Sequence, residues 1–98
     1  MMYVYFDIEE NEWYLSKTKQ TWYWYDKDGN EHDMELDFPA DDQEIPVDIA
    51  ERWVWGRMNV PGFEVYVLTG RYEVVKGWVF TIPNEEDAMH FKLRWPIE

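Results

Sequence analysis

TWYWYDKDGNEHDMELDF, running from Thr21 to Phe38, sets aromatic residues and then acids in alternation about one turn signal. Lys27-Asp28-Gly29 supplies two residues that tolerate a helical conformation and then a glycine able to take positive φ, so a three-residue β-hairpin loop is expected, pairing Asp26 with Asn30. Side chains alternate along a strand. That register puts Trp22 and Trp24 on one face with His32, Met34, Leu36 and Phe38, the face expected in the core. Tyr23 and Tyr25 fall on the other face with Glu31, Asp33, Glu35 and Asp37. The second face is a ladder of carboxylates edged by tyrosines, with successive charges roughly 6.5–7 Å apart. A single DNA strand carries one charge per roughly 3.4 Å of rise, so the two linear charge densities are of similar order. Two readings follow: a solvated face that keeps the sheet soluble, and a charged strip that imitates a nucleic-acid backbone.

The charge distribution extends beyond the hairpin. The net charge is -12, and residues 1–51 hold 15 acids against Lys17, Lys19 and Lys27, so all of the excess lies in that half. A field of this sign repels nucleic acid and anionic membranes and orients basic protein surfaces. Direct nucleic-acid binding is therefore not expected, and a basic partner surface is. With 46% hydrophobic and 31% charged residues the composition is that of a folded chain, and 98 residues are read as a single acidic domain, 1–98. The 7 Trp, 7 Tyr and 5 Phe exceed what a core of this size needs, which leaves some for contact surfaces.

Before the hairpin, Met2 to Ile8 alternates Val4, Phe6 and Ile8 against Tyr3, Tyr5 and Asp7 as a first strand. A polar turn leads to a second, Trp13 to Lys17. After the hairpin, the loop from Pro39 to Pro46 adds Asp41, Asp42 and Glu44, extending the acidic strip from Glu31 as far as Asp48. From Pro46 the apolar period becomes helical through Ile49, Ala50 and Trp53, with Gly56 as the stop. Trp55 points away from that stripe; the wheel makes it an exposed contact aromatic, and the alternative tucks it under the Met58 to Gly62 loop. Phe63 to Leu68 and Tyr72 to Ile82 read as two further strands turning at Thr69-Gly70, with a bulge at Gly77. A second helix, Glu85 to Arg94, begins at the N-cap Asn84 with acids in its first turn and Lys92 and Arg94 in its last.

Several chemistries lack their parts. No cysteine is present, so there is no disulfide, thiolate nucleophile or cysteine zinc site, and a reducing cytoplasm is the expected compartment. The start, MMYVYFDIEENE, has no cationic region of a secretion signal, and no apolar run approaches the roughly 18 residues of a membrane span. Asp26-Lys27-Asp28-Gly29-Asn30 resembles a calcium loop only superficially: glycine stands fourth rather than sixth, and the twelfth position is Asp37. His32 and His90 have no second histidine at ligand spacing. Neither a phosphate loop nor a nucleophile beside a base is visible, so no catalytic residue, metal or cofactor is expected.

The ending Asp87-Ala88-Met89-His90-Phe91-Lys92-Leu93-Arg94-Trp95 resembles the D-A-x-x-F-K-L-R-W ending of small, mostly uncharacterised tailed-bacteriophage proteins. It covers about a tenth of the chain, and Pro96-Ile97-Glu98 follows where a glycine often closes that ending. The resemblance implies a phage accessory protein acting in the bacterial cytoplasm, and it supplies no site residues.

Together these readings predict an α+β fold: an antiparallel twisted sheet of about five or six strands with two helices packed on one face. The function expected is binding to, and inhibition or modulation of, a host or defence protein through Tyr23, Tyr25, Glu31, Asp33, Glu35, Asp37, Asp41, Asp42, Glu44 and Trp55. The alternative is a structural or assembly component of a phage particle. An enzyme is the weakest of the three.

Overall fold

Strands β1 (Met2–Asp7) and β7 (Val75–Ile82) lie at the centre of the computed structural model, which describes residues 1–97. They run antiparallel, with Val4 opposite Phe80 and Tyr5 opposite Val79. Strand β2 (Glu12–Ser16) flanks β1, while β6 (Glu64–Thr69) and then β5 (Glu35–Asp37) lie beyond β7. The result is a five-stranded antiparallel sheet in the order β2-β1-β7-β6-β5. Two further strands, β3 (Tyr23–Tyr25) and β4 (Glu31–Asp33), pair only with each other as a hairpin arm. Helices α1 (Val47–Asn59) and α2 (Glu85–Arg94) complete the α+β architecture.

One sheet face carries the main core. Val4, Val65, Val67, Trp78, Phe80 and Ile82 project from it onto Ile49 of α1 and onto Ala88 and Phe91 of α2. Both helices thus cover the same face, as their single buried stripes require. Asn84 caps α2 as expected, its side-chain oxygen accepting from the Glu86 amide at 2.8 Å.

The opposite face is covered too, which strand alternation alone does not reveal. Tyr5 lies on the side of β1 away from the helices, yet it is 1% exposed. Trp22, Met34 and Leu36 pack there against Tyr5, Leu68 and Val79, and the Trp22 indole stacks on Tyr5 at 5.7 Å between centroids. Gly77 makes room for this. A Cβ on it would stand 2.7 Å from the Phe6 carbonyl oxygen and 3.1 Å from Cζ3 of Trp22. The bulge expected at Gly77 lies one residue earlier: Leu68 pairs with Gly77 and Thr69 with Val75, so Lys76 is the extra residue. Gly77→Ala should therefore destabilise the protein by about 1–3 kcal/mol through overpacking, read as a lower midpoint in urea denaturation.

Three local expectations are corrected. Helix α1 continues through Gly56 to Asn59, because Gly56 is where the Phe63 ring packs against the helix and a Cβ would overlap that ring. The helix ends before Pro61-Gly62 instead. Strand β7 begins at Val75 and not at Tyr72, since Arg71–Glu73 form a short 3₁₀ turn in which Tyr72 and Glu73 both take φ of 58°. Phe38, expected in the core, is 73% exposed, its ring against that of Tyr66 at the sheet edge, centroids 5.1 Å apart.

Candidate functional site

The arm owes its shape to its turn. Gly29 takes φ of 83°, the Asp26 amide donates to the Asn30 carbonyl at 3.0 Å, and the Gly29 amide donates to the Asp26 carbonyl at 3.0 Å. The Asp26 carboxylate binds the loop from within: Oδ1 accepts from the amides of Asp28 and Asn30, each at 2.9 Å. Its Oδ2 lies 2.9 Å from Nε2 of His32, whose ring stacks on Trp24 at 4.3 Å. The hydrogen bond to His32, followed by the backbone amide of Asn30, holds the Asp26 carboxyl down at about 2. A carboxyl held below its ordinary value of 3.8 contributes stability that is full above that value and is lost as pH falls through about 2. The arm should therefore stay closed down to that range. Asp26→Ala should open it at neutral pH, with faster amide exchange at Trp24 and His32 and no change at Phe80.

This turn fixes the register read from the sequence. Tyr23 lies opposite Asp33, Trp24 opposite His32 and Tyr25 opposite Glu31. Tyr23 is 48% and Tyr25 65% exposed, on the same side as Glu31 and Asp33. The Tyr25 hydroxyl donates to Oε1 of Glu31 at 2.9 Å, and that carboxylate raises the tyrosine's pKa.

The ladder is not one uniform face. At Met34 the chain changes partners: its amide still donates to the Trp22 carbonyl at 2.7 Å, and β5 then pairs with β6, Glu35 opposite Thr69 and Asp37 opposite Val67. Met34 and Leu36 are drawn onto the Tyr5 cluster, which leads the chain out of the arm and into the main sheet. Glu31 and Asp33 thus belong to the arm, and Glu35 and Asp37 to the sheet edge. Thr69 Oγ1 donates to Oδ2 of Asp37 at 3.0 Å. A hollow of about 470 Å³ brings Glu35 and Asp37 together with Asp42 of the loop and with Glu73. Nothing local in the sequence marks Glu73, which the left-handed turn carries there. Asp41, Glu44 and Asp48 are exposed, and none of them lines this hollow.

Trp55 is also corrected. It packs between the helices, 5.9 Å from Phe91 and 5.6 Å from Trp95, because α2 closes over the side of α1 that the wheel left open. It is partly buried and is not an exposed anchor.

The acids have few internal partners. Among the described residues the one ion pair is Asp26–His32, and no lysine or arginine is paired with a carboxylate. No group of three or more potential metal ligands converges among them, and no helix is long and apolar enough to cross a membrane. Comparison with known proteins returns no matching family model, no matching curated protein and no matching solved structure.

Proposed function

We propose that the protein binds a basic surface of a host or defence protein through the hairpin arm, inhibiting or modulating that partner by covering a site that takes nucleic acid. The carrying observation is the arm's outer side, two exposed tyrosines beside Glu31 and Asp33, followed at the sheet edge by Glu35 and Asp37, with no cation among the described residues paired to any of them. Unneutralised charge on a -12 protein gives long-range steering, and the tyrosines give contact area at low entropic cost. The phage-like ending supports an infected bacterial cytoplasm as the setting.

The test is capture from infected and uninfected bacterial lysate at low salt, followed by binding of the recovered partner to purified variants. Asp33→Lys with Glu35→Lys should associate with the partner more slowly and hold it less well, and the parent protein should displace nucleic acid from it. A partner held equally well by the charge-reversed variant would contradict the proposal.

One observation favours an assembly role as a second reading. Helix α1 is apolar on its outward side too, with Val47, Val54 and Met58 exposed beside Trp55 and Trp95 along a groove of about 970 Å³. A helix apolar on both sides ordinarily has a covered exterior. Sedimentation showing concentration-dependent self-association, strengthened by salt, would favour this reading over the first.

A further inference from the structure

A pocket of about 460 Å³ lies on the sheet face away from the helices, where the connection from β2 into the arm crosses β1 and β2. The register sets Tyr5 across from Tyr14 and Asp7 across from Glu12, so these side chains share that face. Trp22 closes one side, stacked on Tyr5 at 5.7 Å and perpendicular to Tyr14 at 6.5 Å. The connection is tied down by the Gln20 amide, which donates to the Tyr5 hydroxyl at 2.7 Å. The Gln20 side-chain NH₂ is engaged by Ser16 and Thr18, which leaves its carbonyl oxygen as an acceptor.

The electrostatics point one way. The pocket has three aromatic rings and the Asp7 carboxylate, and no lysine or arginine lines it. Beside it the Tyr14 hydroxyl lies 2.6 Å from Glu12 and 2.9 Å from Glu10, its one proton available to either carboxylate, which gathers two more negative charges around one ring. Aromatic faces attract cations, and a planar guanidinium can stack on a ring while its edge donates to a carboxylate. The chain already uses this chemistry on the other face of β2, where the Arg52 guanidinium sits 4.1 Å over Trp13 and 5.0 Å from Trp95.

We propose that this pocket is a receptor for a guanidinium group, an arginine side chain of a protein partner. The guanidinium stacks on Trp22, meets the perpendicular Tyr14 ring edge-on, and donates to Asp7 and to the Gln20 carbonyl. The site lies apart from the carboxylate ladder and needs none of its residues.

The test is titration of the intact protein with N-acetyl-arginine amide at about 0.15 M salt, where distant surface charges are screened. Indole and amide resonances would be followed by heteronuclear NMR. Saturable shifts confined to Trp22, Tyr14, Gln20 and Asp7 are expected, with a Kd on the order of 1 mM. N-acetyl-lysine amide should bind at least about five-fold more weakly, lacking the planar fork. Asp7→Asn retains the Oδ1 that accepts from the Glu10 amide at 3.1 Å, so the turn is kept and the charge removed. It should weaken arginine binding by about five- to ten-fold. Tyr14→Leu should do likewise by removing a ring. Asp33→Lys with Glu35→Lys should leave the affinity within about two-fold, so this site and the arm fail or stand separately. Shifts that spread over every acidic segment without saturating, equal binding of the lysine amide, or no effect of Asp7→Asn would each overturn the proposal.

Discussion

Phe80→Ala should destabilise the protein by about 3–5 kcal/mol, among the largest effects expected of a single truncation in the core. Phe80 is 0% exposed, and its ring meets three others from separate parts of the chain: Phe63 at 5.5 Å, Trp13 at 5.9 Å and Phe91 at 6.1 Å. Truncation leaves a cavity between sheet and helices that the flanking β-strands cannot collapse to fill. Domains of this size hold about 5–15 kcal/mol in total, so the variant should sit close to unfolding. Urea denaturation should show a much lower midpoint at an unchanged slope. A loss below about 1 kcal/mol would mean that the helices do not pack on this ring.

Tyr23→Ala combined with Tyr25→Ala should weaken partner binding by roughly a thousand-fold, since interface aromatics contribute about 2 kcal/mol or more each on truncation. Both side chains point outward from the arm, so the core should be untouched and the thermal midpoint should stay near that of the parent. The loss should appear as faster dissociation. Charge reversal at Asp33 and Glu35 should act on association instead, because exposed charge pairs contribute about 0–1 kcal/mol each while jointly shaping the field. A tyrosine double variant that dissociates like the parent would remove the arm from the interface.

The arm and α2 are legible in the sequence because their determinants are local. Lys27-Asp28-Gly29 fixes the turn, and the hydrogen bonds of Asp26 that secure it span only a few residues. Asn84 caps α2 from two residues away. Gly56 and Gly77 mislead for the opposite reason. Each glycine is there for neighbours arriving from elsewhere, the Phe63 ring in one case and the Phe6 carbonyl with the Trp22 ring in the other, and not for its own backbone freedom. Trp55 is misplaced by the wheel because the wheel knows only α1, and the covering surface comes from Phe91 and Trp95. The division of the ladder at Met34 depends on β5 finding β6 across a long separation, which alternation cannot encode. The guanidinium pocket escapes notice for a related reason: Tyr5, Tyr14 and Trp22 look like ordinary strand aromatics until the connection folds over them.

The most direct test of the arm as a steering and anchoring surface is the association rate constant with the recovered partner, measured from about 0.05 to 0.5 M salt, a range over which screening shortens from beyond 10 Å to a few ångströms. The rate should fall by at least about ten-fold across that range, with the dissociation rate nearly constant. An association rate that stays flat would contradict the account.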